Sequence, residues 1–87
     1  MPRVVLVNKK REMRAIMVGA EKCVKCHQVG NILRDRGLWP AIEYIDADTE
    51  YGRRIAAEYN QKHLPFFILD GKAYARTGEF MRVLKEL

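Results

Sequence analysis

Apolar and polar positions change their period several times along this chain. Ala15 to Val18 form a short continuous apolar run that ends at Gly19, the pattern of a strand buried on both faces. Residues 24–36 then read as a helix: Cys26, Val29, Ile32 and Leu33 recur at helical spacing, and Gly37 is placed to stop it. Gly30 inside that helix costs roughly 1 kcal/mol against alanine, so a close contact is expected there. Pro40 starts the next strand, with Ile42, Tyr44 and Ile45 as its apolar positions, and Asp46, Asp48 and Thr49 offer turn and N-cap groups. Residues 50–60 read as a second helix, with Tyr51, Ile55 and Tyr59 on one stripe and Ala56 beside it. Pro65 opens the strand Phe66-Phe67-Ile68-Leu69. Asp70-Gly71 is a hairpin signal, and Lys72 to Arg76 return as an antiparallel strand. Residues 79–86 form the last helix, with Phe80, Val83, Leu84 and Leu87 inward.

The order is therefore β-α-β-α-β-β-α, an α/β domain with a four-stranded mixed sheet flanked by helices. It is complete within residues 13–87. Residues 1–12 are set apart as an N-terminal extension, in which the apolar run Val4 to Val7 offers an extra edge strand.

Length and charge narrow the function classes. Eighty-seven residues hold one core, not two. No apolar run approaches the roughly 18 residues of a membrane span. Val4 to Val7 is shorter than the core of an export signal, so a cytoplasmic location is the expectation. The formal net charge is +5, of which residues 1–12 carry +3 through Arg3, Lys9, Lys10 and Arg11 against Glu12. The rest is nearly balanced and its aromatics do not interleave with the basic residues, so neither nucleic acid nor membrane is an expected partner. Two cysteines cannot build a disulfide scaffold, which leaves the fold to ordinary side chains.

Those two cysteines carry the chemistry. Cys23-Val24-Lys25-Cys26 follows the first buried strand and opens the first helix. Residues three apart on a helix are neighbours, with Cβ atoms ~5–6 Å apart, and a disulfide needs about 3.5–4.5 Å. The first turn absorbs that difference, so dithiol and disulfide are both accessible. The sulfurs are not equivalent. Cys23 stands at the helix N-terminus, where unpaired N–H groups favour an anion, with Lys22, Lys25 and His27 close in sequence. An ordinary thiol with pKa ~8.5 is about 3% ionised at pH 7; a pKa near 7 makes it about half, for roughly 2 kcal/mol. Cys26 points down the helix towards Val29 and Leu33, where burial favours the neutral thiol. Cys23 is thus the candidate nucleophile and Cys26 the thiol that resolves the mixed disulfide.

Other readings of the same residues stand beside this one. The pair also reads as two small core residues. As half of a zinc site it would need His27 and His63 as further ligands. Cys23-Val24-Lys25-Cys26-His27 also satisfies the covalent haem pattern, with His27 as one axial ligand and Met13, Met17, Met81 or His63 as the second. Trp39 reads as a packing residue, and His63 as an exposed loop histidine.

The chain resembles the glutaredoxin/thioredoxin-like family over residues 13–87. The matching features are Cys23-Val24-Lys25-Cys26 after the first strand, Ile42 to Asp46 as the second, and the stretch Tyr59 to Lys72 containing His63-Leu64-Pro65-Phe66-Phe67. The resemblance implies a thioredoxin fold of glutaredoxin-like size and a thiol–disulfide oxidoreductase cycling Cys23 and Cys26. It gives Pro65 the role of a cis proline facing the cysteines. It gives Leu64 the backbone groups that pair with an incoming peptide or glutathione. Lys22 and Lys25 join them at the substrate groove. The tryptophan and Gly-Pro of the thioredoxin motif are absent. Only Gly78 and Glu79 correspond to the Gly-Gly-acidic stretch of glutaredoxins, and Gly78 is the substrate-binding candidate there. The implied partners are a disulfide-containing protein substrate and an electron donor, either a reductase or glutathione as co-substrate, with no bound cofactor and no metal. The alternative is a thioredoxin-fold module that reports redox state without turnover.

Overall fold

The computed structural model describes residues 14–86. The extra strand read at Val4 to Val7 lies outside them. The elements are β1 (Ala15–Gly19), α1 (Val24–Asp35), a 3-10 turn (Trp39–Ala41), β2 (Ile42–Asp46), α2 (Glu50–Glu58), β3 (Phe66–Leu69), β4 (Lys72–Tyr74) and α3 (Thr77–Lys85). The strands lie in the order β2-β1-β3-β4. β1 pairs parallel with β2, through Ala15 opposite Ile42 to Gly19 opposite Asp46. It pairs antiparallel with β3, where Val18 faces Phe66, and β3 pairs antiparallel with β4.

Both faces of this sheet are covered, which is why β1 and β3 are apolar at every position. On one face Ala15, Met17, Ile42, Phe67 and Leu69 meet Cys26, Val29 and Leu33 of α1 and Phe80 of α3. Phe67 and Phe80 stack there at 4.4 Å between ring centroids. On the other, Ile16, Val18, Ile45, Phe66 and Ile68 meet Ile55, Ala56 and Tyr59, beside α2.

Several element limits differ from the sequence reading, each for a physical reason. Pro40 does not start β2; it sits in the first positions of the 3-10 turn, where a proline's missing N–H costs nothing. β4 ends at Tyr74 instead of Arg76, and α3 begins at Thr77, two residues early, with Gly78 in its first turn. α2 stops at Glu58, and Asn60 takes a positive φ of 55°, a conformation asparagine tolerates. Asp70 and Gly71 both have positive φ, as a two-residue hairpin requires. Ile32 and Tyr51, assigned inward from their spacing, are 41% and 49% exposed, and Tyr44 is 43% exposed. Spacing marks a stripe, but only packing sets its width.

Gly30 makes no close contact either. A Cβ there would meet Arg34 Nη1 at 3.4 Å and Trp39 at 3.8 Å, ordinary packing distances. Gly30→Ala is therefore expected to stabilise the protein by about 0.5–1 kcal/mol, the helix-propensity difference, measured by urea denaturation. A loss of stability would show that Trp39 does not tolerate the added methyl.

Candidate active site

Strand directions gather four connections at one end of the sheet. β1 and β2 run parallel and end there at Gly19 and Asp46, β3 starts there after Pro65, and β4 returns there before Thr77. The cysteines occupy the first of these connections. Cys23 N–H donates to Ala20 C=O at 3.2 Å, closing a turn, and His27 N–H then donates to Cys23 C=O at 3.2 Å, beginning α1. Cys23 is the N-cap of that helix, with φ −88° and ψ 105°. Its Sγ accepts the backbone N–H of Cys26 at 3.1 Å. A sulfur thus fills the place a serine or aspartate oxygen takes at most helix starts.

Cys23 and Cys26 are joined as a disulfide, with their Cα atoms 5.2 Å apart. Cys23 is half-buried at the surface, whereas Cys26 is 4% exposed and belongs to the apolar cluster of the α1 face. Val24, between them, is 70% exposed. Lys22 and Lys25 are exposed on either side. His27 is exposed too, and its Nε2–H donates to Glu21 C=O at 2.5 Å, so the ring is turned to the preceding loop.

The Leu64–Pro65 bond is cis. Pro65 is buried and precedes Phe66, the partner of Val18, so it lies beside the Gly19–Ala20 segment that leads into the cysteines. Leu64 packs against the same apolar cluster as Cys23. Gly78 is at this end of the molecule, on the β4 side. It lies in a separate depression with Arg76, Glu79 and Arg82, not with the sulfurs. Trp39 packs partly buried against the core, with the Arg34 guanidinium 4.5 Å above its ring, and His63 is exposed.

Among the described residues, no three His, Cys, Asp or Glu side chains converge as a metal-binding group. Met17 is buried in the sheet, and His27 is held by Glu21. No helix among the described residues is long and apolar enough to cross a membrane.

The sequence reading did not find one further feature. Between α1 and β2, a cavity of about 340 Å³ reaches Cys26 from the side away from Leu64 and Pro65. Met17, Ala20, Cys26 and Gly30 line it, together with the neighbouring rings of Trp39 and Tyr44, whose centroids are 6.2 Å apart. Tyr44 and Asp46 are two apart on β2 and so face the same way as Gly19 and Met17 across the sheet. A Cβ on Gly19 would stand 3.1 Å from Cys26 Sγ and 3.2 Å from Tyr44 Cε1, so ring and sulfur flank one point. Burial, and then the charges of Asp46, Asp48 and Glu21, push the Tyr44 phenol above its ordinary pKa. The strand alternation that places Tyr44 with Asp46 was the available signal.

No family model and no curated protein matches this chain. Solved structures do. A thioredoxin from Thermus thermophilus is similar over 98% of this chain and 81% of its own, with 21% identity and a TM-score of 0.59. Oxidized glutaredoxin 2 from Chlamydomonas reinhardtii is similar over 97% and 86%, with 10% identity and a TM-score of 0.55. Fasciola hepatica thioredoxin is similar over 95% and 89%, with 20% identity and a TM-score of 0.53. The chain has the thioredoxin fold, as its motifs implied, with a bonded Cys-x-x-Cys pair capping the first helix.

Proposed function

We propose that this protein is a thiol–disulfide oxidoreductase that works through the Cys23–Cys26 pair. The observation that carries the reading is the Cys26 N–H aimed at Cys23 Sγ, at the head of a helix, with the second sulfur buried behind it. In the reduced protein the same N–H, the helix terminus, Lys22 and Lys25 favour the Cys23 thiolate, the form that attacks. Burial keeps Cys26 a neutral thiol until the mixed disulfide forms next to it.

The chemistry balances without a bound cofactor. The Cys23 thiolate attacks one sulfur of a substrate disulfide, forming a Cys23–substrate bond and releasing one substrate thiolate. Cys26 passes its proton to the released substrate thiolate or to water and attacks Cys23 Sγ. The intramolecular disulfide closes, the second substrate thiolate leaves, and two electrons have moved from the pair to the substrate. A dithiol reductant or glutathione returns them. Leu64 and Pro65 form the opposite wall of the substrate groove, where Leu64 offers its backbone to an extended partner. Gly78, at the head of α3, would meet only a substrate that spans to the β4 side.

Insulin reduction tests the reading. With dithiothreitol as electron source, catalytic amounts of this protein are expected to accelerate cleavage of the insulin interchain disulfides well above the reductant alone. Two stable redox forms with no acceleration on insulin or on a small disulfide would favour a redox-reporting module instead.

A further inference from the structure

His27 follows Cys26 directly, and sulfur exchange between the two cysteines does not by itself require it. Cys26 and His27 both line the cavity between α1 and β2. His27 and Arg34, seven apart, mark the flank of α1 that borders this cavity. The imidazole is fixed in one orientation. A carbonyl oxygen only accepts, so His27 Nε2 carries the proton it donates to Glu21 C=O at 2.5 Å. In the neutral ring Nδ1 then keeps its lone pair. The other lining groups able to carry charge are Glu21, Tyr44, Asp46 and Arg34. Asp48 lies two residues past Asp46, Arg34 two turns further along α1, and Lys22 and Lys25 are exposed around Cys23.

The order of the exchange gives this flank a use. Cys26 must lose its proton after the substrate has bonded to Cys23, when the partner covers the Leu64 and Pro65 side. The cavity reaches Cys26 from the other side and meets solvent beside the exposed Glu21 and Tyr44. Its 340 Å³ and polar rim suit water, and a base one water away from a proton is within working reach. We propose that His27 accepts the Cys26 proton through water in this cavity, which separates the proton's exit from the substrate groove. The inference rests on the oxidoreductase reading. The proton passes from Cys26 Sγ to water and from water to His27 Nδ1, and the imidazolium returns it to solvent. The Cys26 thiolate bonds to Cys23 Sγ, and the substrate leaves as a thiolate with the electron pair of the broken bond.

Rapid mixing of the reduced protein with excess peptide disulfide, stopped in acid and read by intact mass, separates the two steps. Formation of the mixed disulfide scales with peptide concentration, and its conversion to the Cys23–Cys26 disulfide does not. His27→Gln retains an N–H able to reach Glu21 C=O but removes the base. The second step is expected to slow by roughly a hundredfold, the lower end of general-base catalysis, while the first changes little. Free imidazole, small enough to enter the cavity, should restore the second step of His27→Gln in proportion to its concentration and leave the first alone. A residue that only holds the loop in place would not be replaced by a dissolved base. An unaltered second step, an equal loss in both steps, or a slow second step that imidazole does not restore overturns the proposal. Failure of the unsubstituted protein to form any mixed disulfide would instead sink the oxidoreductase reading.

Discussion

Cys23→Ser is expected to abolish disulfide turnover, while Cys26→Ser stops it one step later. The two sulfurs are covalently equivalent in the disulfide, so the difference comes from their surroundings. Cys23 is half-buried and receives an N–H; Cys26 is 4% exposed among Met17, Val29 and Leu33. A hydroxyl at position 23 cannot form the mixed disulfide, and Cys26 is too enclosed to take over, so no intermediate accumulates. A hydroxyl at position 26 leaves the first attack intact but removes the group that releases the product. Intact-mass spectrometry after mixing each reduced variant with a disulfide reads the outcome directly. Cys26→Ser should gain the mass of one substrate half, and Cys23→Ser should gain none. The reverse pattern, or turnover retained in Cys23→Ser, would assign the nucleophile to the wrong cysteine.

Gly52→Ala is expected to be the most damaging change outside the cysteines. Gly52 is buried in the first turn of α2, where its N–H donates to the capping Thr49 Oγ1 at 3.0 Å. A Cβ there would stand 2.0 Å from the Asp46 carbonyl oxygen and 2.7 Å from Ala47 Cα. Both obstacles are backbone at the end of β2, so no side chain can swing aside. Alanine gains about 1 kcal/mol of helix propensity, but relieving the clash requires α2 to move off the sheet. A net loss of about 3 kcal/mol or more is expected, lowering the melting temperature by roughly 12 °C or more in a domain of this size. Calorimetry beside Gly30→Ala makes the comparison internal, since both replace a helical glycine and the expected signs are opposite. A loss under about 1 kcal/mol would mean that the α2–β2 contact has slack.

The same two glycines mark where sequence reasoning stopped. Both look alike in one dimension, each a helix interruption. Position 30 drew attention for a contact it does not make, and position 52 drew none. Close approach is a property of two segments, and the Asp46–Ala47 backbone that fills the space over Gly52 belongs to the second. Short-range physics, by contrast, was legible throughout. Continuous apolar runs marked β1 and β3 because both faces of those strands are covered. Asp70-Gly71 marked the hairpin because its two residues accept positive φ. Cys23 was legible at the N-terminus of a helix, and with it the contrast between an N-terminal sulfur and one a turn deeper, because helix geometry alone sets that spacing. Boundaries at Pro40, Tyr74 and Thr77 were not, since competing local preferences there differ by little and packing decides. Nor could the chain order alone bring Tyr44 and Asp46 to the back of Cys26. That needed the parallel register of β1 with β2, which sets Gly19 against Asp46 and leaves a side-chain-free gap between ring and sulfur. The amino-acid order determined which sulfur faces solvent; only the pairing of strands distant in sequence decided what stands behind the other.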